Sequence, residues 1–260
     1  MRAYSYFGST CKEISSLKEV RSPYHHEVVS YVNACTKEDA KHMLDIAQNA
    51  AKLTKIVPLH QRVAWLLDVA QKLERLKEDF AKTMTDEVGK PIRFSRMEVE
   101  RAVETIKLSA NAILHVNGET FDTTAMPSGK KTLAFYKREA VGVVLAITPF
   151  NFPLNLVAHK IAPALVAGNA VILKPAEATS LIALELAKIF EEEYMETITN
   201  YNEVVDGAME LLDYLKPKYQ LHIITNGFLE VSKRKIETSE LNGYFDTVTY
   251  ADEIKILKPD

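Results

Sequence analysis

The sequence predicts an α/β protein built around a parallel β-sheet, with a helical region before the sheet and a second α/β segment after it. Three observations support this prediction. The run from Val141 to Ile147 (VGVVLAI) is continuously apolar, which is typical of a parallel strand covered on both faces. From that run to Phe190, strand-like and helix-like segments alternate, an order that predicts parallel strands joined by crossover helices. The same alternation recurs in the last part of the chain.

Composition restricts the classes of function. The 260 residues are 47% apolar and 26% charged, with a net charge of -3, as is usual for soluble globular proteins. This charge gives no reason to expect nucleic acid or an anionic membrane as a partner. No apolar run approaches the roughly 20 residues that span a bilayer, and the first residues lack the apolar core of a signal peptide. The two cysteines, Cys11 and Cys35, have no metal-ligand spacing, so we expect reduced thiols, no metal site and a cytoplasmic location.

The region before the sheet contains local signals for a hairpin and for helices. VRSPYHHEVVSYV predicts a β-hairpin with its turn at Pro23–His26. The residues TKED at 36–39 form a capping box and predict the start of a helix. Two more helical stretches follow, the first with apolar residues at helical spacing. Gly89 then ends one helix and Pro91 starts the next, which is predicted over Ile92–His115.

The polar, turn-rich stretch 119–139 predicts a long hairpin that stands off the domain. After the apolar strand, we expect a helix over Pro153–Leu165, a short buried strand over Ala170–Lys174 and a helix over Ser180–Phe190. The character of the sequence changes at the acidic run that follows. We therefore place the domain boundary there, giving domains 1–190 and 191–260.

The tail repeats the α/β pattern with new elements. It predicts a helix over Val204–Leu215, a strand in LHIIT, a helix over Glu230–Ser239 and a strand over Asp246–Tyr250. No Gly/Ser-rich linker separates the two parts, and no internal repeat is present.

The segment AVGVVLAITPFNFPLNLVAHKIAPALVAGNAVILKPAE, with SPY...EVV and the helical region before it, resembles the aldehyde dehydrogenase family over about residues 20–190. One departure is Ala140, where the family usually has proline. The resemblance implies a Rossmann-like parallel sheet, a nicotinamide cofactor, and an aldehyde as the substrate.

The resemblance also implies roles for individual residues. The loop Ile147, Thr148, Pro149 and Phe150 lies where the family places the pyrophosphate-ribose side of the cofactor. Asn151 matches the asparagine whose side-chain N–H holds the oxyanion of the intermediate, a role that a fixed neutral donor fits. In KPAE, Lys174 and Glu177 match the pair that contacts the adenosine ribose. A glutamate accepts hydrogen bonds from a 2′-hydroxyl and repels a 2′-phosphate, which favours NAD, with NADP possible.

Simpler interpretations of the same residues stay open. Asn151 lies just before a predicted helix and could merely cap it, since asparagine is a favoured N-cap residue. Lys174, at the end of a strand, could be an ordinary solvated lysine.

The family's nucleophile and base do not occur where they are needed. Both a catalytic cysteine and a glutamate base would lie well after KPAE, yet no cysteine follows Cys35. Without a thiolate, the attack on the aldehyde carbonyl has no agent. The Gly-rich turn behind the nicotinamide is also missing, and ITNGFLEV lacks its glycines. We therefore expect cofactor binding without turnover.

The tail resembles the haloacid dehalogenase-type hydrolases over about residues 195–260, through HIITNG, GYFD and KPD. The resemblance assigns Thr225 to the hydroxyl that binds the transferring phosphoryl group and Lys258 to the lysine that neutralises its charge. The superfamily's nucleophilic D-x-D pair occurs nowhere upstream, and its late Mg²⁺-binding acidic pair would follow Asp260. TNG is also consistent with any strand-to-turn junction, and KPD with any loop.

Three hypotheses follow. The chain is an aldehyde dehydrogenase-family protein in truncated form that binds its cofactor, a dehalogenase-type phosphatase fragment without its nucleophile, or a non-functional hybrid of two genes that meet near 191–200. In the resembled dehydrogenases, the 119–139 hairpin helps to pair subunits. Because exposed strand edges promote self-association, we expect a homo-oligomer or self-association through this hairpin.

Overall fold

A computed structural model describes residues 3–4, 17–200, 204–225 and 229–250. Contacts divide the chain into two compact units, residues 1–191 and 192–260. The helices are α1 (Lys37–Ile56), α2 (Leu59–Arg75), α3 (Lys77–Val88), α4 (Ile92–Ala112), α5 (Asn155–Val166), α6 (Ser180–Asn200), α7 (Ala208–Leu215) and α8 (Leu229–Thr238). The strands are β1 (Ala3–Tyr4), β2 (Leu17–Arg21), β3 (Val28–Asn33), β4 (Glu119–Asp122), β5 (Leu133–Tyr136), β6 (Val143–Ile147), β7 (Ala170–Lys174), β8 (His222–Thr225) and β9 (Thr247–Tyr250). Mixed α/β structure with parallel strands confirms the predicted fold class.

The first sheet contains the predicted hairpin. β2 and β3 pair antiparallel, and β1 adds to β3 in parallel. The turn is closed by the Ser22 N–H, which donates to the Glu27 carbonyl at 2.9 Å, and by the His26 N–H, which donates to the Ser22 carbonyl at 2.9 Å. The hairpin and its predicted turn are confirmed.

Four helices build the apolar core of unit 1. The capping box is present: the Thr36 hydroxyl accepts from the Asp39 N–H, and the Asp39 carboxylate accepts from the Thr36 N–H. α2 packs on α4, and α4 packs on α3 and α5. The contacting faces are fully buried and apolar, which is the main stabilising contribution in a helical core, and they include Leu66, Val69, Leu73, Val99, Ala102 and Ile106.

The junction between α3 and α4 forms as predicted. Gly89 has φ +70°, a left-handed conformation in which its N–H donates to the Thr85 carbonyl at 2.9 Å. Glycine adopts this conformation without steric cost and so ends α3. Pro91 precedes the first residue of α4.

The 119–139 stretch is a hairpin, as predicted, with β4 and β5 antiparallel in the register Glu119↔Tyr136 to Asp122↔Leu133. All four residues of β4 and three of the four in β5 are exposed. Within the part of unit 1 that the structure describes, the hairpin therefore contributes little to the core.

The predicted strand–helix–strand–helix unit is β6–α5–β7–α6, with β6 and β7 parallel. The expectation that β6 is covered on both faces is wrong for the described residues. Ala146 is buried, whereas Leu145 and Ile147, on the opposite face, are 60% and 56% exposed. A parallel strand is buried on both faces only where helices cover both, and the described elements leave this face open.

Two helix boundaries differ from those expected by four residues or more. α6 continues past Phe190 to Asn200 because Ser180–Asn200 contains neither glycine nor proline, and its acidic run is compatible with a helix. α7 begins at Ala208 rather than Val204, because Gly207 precedes it with φ +81°.

In unit 2, β8 and β9 pair in parallel. The tail thus has its own α/β structure, as predicted.

Candidate functional site at the carboxyl ends of two parallel strands

The predicted cofactor residues are grouped by the pairing of β6 with β7. Ile147 is the register partner of Lys174, and the Thr148 N–H donates to the Lys174 carbonyl at 3.2 Å. Both strands therefore end at the same edge of the sheet. Ligands of open α/β sheets bind at this edge.

The loop after β6 presents a mixed surface at this edge. Thr148 is buried, whereas Ile147, Pro149 and Phe150 are exposed. Asn151 follows and is also exposed. The interpretation that Asn151 caps the next helix is wrong, because α5 begins at Asn155 and has no side-chain cap hydrogen bond from its N-cap residue.

Lys174 and Glu177 lie after β7. Lys174 is exposed, and its Nζ donates to the Pro175 carbonyl at 3.1 Å. Glu177 begins a short 3-10 turn, Glu177–Thr179, and its carboxylate is 3.2 Å from the ammonium of Lys18 on β2. Lys174 and Glu177 thus lie on one segment, and Glu177 already has Lys18 as a charged partner.

Glu98, which the sequence analysis missed, supplies the acceptor that α5 lacks. Its side chain on α4 is buried, and Oε1 accepts from the backbone N–H groups of Leu154 at 3.0 Å and Asn155 at 3.1 Å. Its other oxygen forms an ion pair with Lys90, whose Nζ also donates to the Asn151 carbonyl at 3.5 Å and lies 4.7 Å from the centre of the Phe152 ring. This pair, whose carboxylate is buried, fixes the segment that follows the loop after β6.

Glu87 supplies the hydrogen-bond acceptor at the start of α6. It is buried at the end of α3, and its carboxylate accepts from the N–H groups of Leu181 at 2.7 Å and Ile182 at 3.0 Å. Burial raises the pKa of Glu87 to about 7 and nearby Glu185 adds to the rise, while the two N–H groups oppose it. The carboxylate therefore caps the helix that follows Lys174 and Glu177.

The helical periodicity of the sequence indicates that both glutamates lie on the buried faces of their helices. Glu98 lies four residues before Ala102 on the buried face of α4, and Glu87 lies three residues after Met84 on that of α3. An acidic residue within an apolar stripe is expected to have specific partners. The backbone N–H groups that the two carboxylates bind are more than fifty residues away and are not visible in the sequence.

A cleft of about 510 Å³ opens next to the site. Its walls come from β2, the end of α3, the loop after β6 and the turn before α6, and its lining residues are Glu19, Val20, Arg21, Pro23, Glu87, Val88, Phe150, Glu177, Ala178 and Thr179. The cleft thus includes two of the predicted cofactor residues.

Cys35 is a free, exposed thiol between β3 and α1. Desolvation raises its pKa, and the nearby Asp39 carboxylate raises it further. A raised pKa disfavours the thiolate and is the opposite of what an activated cysteine nucleophile needs.

The dehalogenase-like residues are only partly described. Thr225 is the last residue of β8 and the register partner of Tyr250 on β9. Lys258 lies outside the described residues, as does Cys11.

Among the described residues, no cluster of three or more His, Cys, Asp or Glu side chains could hold a metal ion. In the same part of the chain, none of the helices is both long enough and apolar enough to cross a bilayer.

Two family models match the sequence. The model of the aldehyde dehydrogenase family matches residues 11–209. The model of haloacid dehalogenase-like hydrolases matches residues 170–260, so the two matches overlap through β7 and α6. Both resemblances noted in the sequence are thereby confirmed.

Individual proteins agree with the first match. Lactaldehyde dehydrogenase from Methanocaldococcus jannaschii is 39% identical over 197 residues, which cover 75% of this chain and 41% of that protein. NADP-dependent glyceraldehyde-3-phosphate dehydrogenase from Bacillus halodurans, solved with NADP, superposes with a TM-score of 0.67 and 28% identity, covering 91% of this chain and 49% of that one. A double mutant of betaine aldehyde dehydrogenase from Staphylococcus aureus, solved with NAD+, gives a TM-score of 0.67 and 28% identity, covering 72% and 38%. The chain spans less than half the length of each of these proteins.

Proposed function

The chain belongs to the aldehyde dehydrogenase family, and from that premise we propose that residues 1–190 are its cofactor-binding region and bind NAD or NADP. The hydrogen bond from the Thr148 N–H to the Lys174 carbonyl carries the proposal, because it joins the two loops that would hold the dinucleotide. The NADP and NAD+ complexes of the two solved relatives support the choice of ligand.

The residues present fit a dinucleotide. Glu177 is an exposed carboxylate that can accept hydrogen bonds from ribose hydroxyls, and Lys174 is an exposed ammonium on the same segment that can donate to them. The open edge of the sheet and the adjoining cleft leave room for an extended ligand. When bound, the nicotinamide supplies a hydride acceptor.

Asn151 would orient the aldehyde. Its amide is an exposed neutral donor, suited to a carbonyl oxygen that becomes negative during attack. The Glu98–Lys90 pair holds the segment around it, since Lys90 donates to the Asn151 carbonyl. The name of the Methanocaldococcus relative makes small hydroxyaldehydes the first substrates to test.

We further propose that these 260 residues bind the cofactor without oxidising the aldehyde. No cysteine follows Cys35 in the sequence, and the Cys35 thiol has a raised pKa. The attack on the carbonyl therefore lacks a thiolate. Isothermal titration with NAD and NADP is expected to give a Kd below about 1 mM, the equivalent of about -4 kcal/mol, while lactaldehyde and NAD yield no reduced cofactor.

Matched variants make this test specific. Lys174→Met and Glu177→Gln are expected to weaken the binding of NAD, whereas Lys160→Met, at an exposed lysine on α5, is expected to leave it unchanged. Weaker than millimolar binding of both cofactors by the unaltered chain would refute the proposal. Formation of NADH or NADPH that requires the aldehyde would refute the proposal that these residues do not oxidise it.

A second proposal concerns origin: the chain is a hybrid of two genes, with an aldehyde dehydrogenase-like domain 1–190 and a dehalogenase-like segment 191–260. Two family matches, which cover different ends of the chain and overlap over residues 170–209, support it. Single-molecule sequencing of the source DNA across the codons for 170–260 tests it, and reads that continue from KPAE into a Gly-rich turn and a cysteine would contradict it.

Phosphatase activity is the alternative function. Thr225 ends a strand of a parallel pair, as a phosphoryl-binding hydroxyl requires, but the sequence has no D-x-D nucleophile upstream. We therefore expect no Mg²⁺-dependent hydrolysis of an aryl phosphate. Turnover that is lost in Thr225→Ala would favour this alternative.

We also propose that the protein is located in the cytoplasm, where a free thiol such as that of Cys35 stays reduced.

A further inference from the structure

We propose that Lys18 sets the choice between the two dinucleotides: its ammonium offsets the charge of Glu177 and receives the 2′-phosphate, so that the site takes NADP as well as NAD. This inference rests on the proposed function. It departs from the sequence expectation that Glu177 alone favours NAD.

The geometry brings a cation from a distant part of the chain to the ribose-binding residue. Lys18 Nζ is 3.2 Å from Glu177 Oε1, although the two residues are 159 positions apart. Their side chains are 57% and 80% exposed, so both remain accessible to a ligand. β2, which carries Lys18, contacts the turn Glu177–Thr179, and the two elements line the same cleft.

The other charged groups near the cleft have different partners. Arg21 pairs with Glu19 on its own strand and also donates to the His26 carbonyl at 3.0 Å. Lys174 donates to the Pro175 carbonyl. Within the described part of unit 1, Lys18 is therefore the cation whose charge directly faces the Glu177 carboxylate.

Glu87 is the remaining charged residue that lines the cleft, and it does not compete with Glu177 for Lys18. The carboxylate of Glu87 is buried and accepts the N–H groups of Leu181 and Ile182. It therefore does not take the place of Glu177 as the partner of Lys18.

The chemistry of the pair suits both ligands. With a 2′-hydroxyl, Lys18 stays paired with Glu177, whose carboxylate accepts a hydrogen bond from the ribose. With a 2′-phosphate, a bare glutamate would repel the ligand. Exposed ion pairs are weak, and lysine is a flexible point charge with three donors. Lys18 can thus leave Glu177 for the phosphate, which carries more charge, and reduce the repulsion.

Titration of the full chain with NAD and with NADP tests this inference. In Lys18→Met, the Kd for NADP is expected to rise about tenfold, equivalent to about 1.4 kcal/mol, while the Kd for NAD changes by less than about twofold. Lys18→Arg keeps the charge and should retain NADP binding. Glu177→Gln should bind NADP more tightly relative to NAD, because the repelling charge is removed.

The matched control is Lys107→Met, which breaks another exposed ion pair, that of Lys107 with Glu74 at 3.0 Å between α4 and α2. It should alter neither Kd. An unchanged NADP-to-NAD ratio in Lys18→Met, with both ligands still bound, would overturn the role of Lys18 and leave the proposed function standing. Failure of the unaltered chain to bind either ligand would overturn both.

Discussion

The Glu87 carboxylate accepts a hydrogen bond from the Leu181 backbone N–H at 2.7 Å, so the last turn of α3 caps the first turn of α6. The first N–H groups of a helix have no partner within the helix and attract negative charge. Here that charge comes from a buried residue 94 positions earlier. The contact links the helical core to the segment that carries Lys174 and Glu177.

This contact predicts a pH dependence of stability. Burial raises the pKa of Glu87 from 4.5 to about 7, so between these values the folded state binds more protons than the unfolded state. Stability from this group is therefore greatest below about pH 4.5 and falls as the pH rises to about 7. Each tenfold change in acidity constant is worth about 1.4 kcal/mol, so the fall is up to about 3 kcal/mol.

Chemical denaturation at several pH values measures this effect. The difference in unfolding free energy between the unaltered chain and Glu87→Gln should decrease across this range, because glutamine does not titrate. Glu104→Gln, an exposed position on α4, serves as the control and should show no such trend. A pH-independent difference for Glu87→Gln would contradict the prediction.

The Glu98–Lys90 pair is expected to be strongly coupled. Glu98→Gln leaves the ammonium of Lys90 without its buried partner and should destabilise the fold by about 3 kcal/mol. A double-mutant cycle with Lys90→Met should give a coupling energy of about 1–3 kcal/mol. The same cycle on the exposed Lys107–Glu74 pair should give less than about 1 kcal/mol. Equal coupling in the two cycles would mean that burial does not strengthen the first pair.

Gly168 has both a positive φ and a close neighbour at its Cβ position, whereas Gly142 has a positive φ alone. The φ of Gly168 is +92°, and a Cβ there would lie 2.5 Å from Arg62 Nη1, which donates to the Val166 carbonyl. Gly142 has φ +112° with nothing near its Cβ position. Gly142→Ala should cost about 1–3 kcal/mol through backbone strain. Gly168→Ala should cost about 1 kcal/mol more, because the end of the Arg62 side chain would have to move and give up its hydrogen bond to the Val166 carbonyl. Thermal unfolding measures both, and equal losses would exclude a contribution from Arg62.

The 119–139 hairpin is expected to cause self-association. Leu133 and Phe135 are 82% and 67% exposed on β5, and exposed apolar strands pair readily with other chains. Light scattering at micromolar concentration should detect oligomers of the unaltered chain. Leu133→Lys with Phe135→Lys should reduce the mean mass, whereas Lys130→Gln with Lys131→Gln in the loop should not. A monomeric unaltered chain would contradict this expectation.

The sequence by itself determined the elements whose causes are local. The capping box at 36–39, the left-handed Gly89, and the apolar runs of β6 and β7 each depend on neighbouring residues, and all formed where expected. The motifs also sufficed to predict that the loops after β6 and β7 lie together, because consecutive parallel strands end at one edge of the sheet.

Only the tertiary structure decided the long-range electrostatics. The backbone N–H groups that bind Glu87 and Glu98 lie far along the chain, and the partner of Glu177 is Lys18, 159 positions earlier. The open face of β6 is a further example, since a strand's sequence shows that it can be buried but not what covers it. Hydrophobic periodicity and capping act over a few residues, whereas charge pairing and burial depend on which segments the fold brings together.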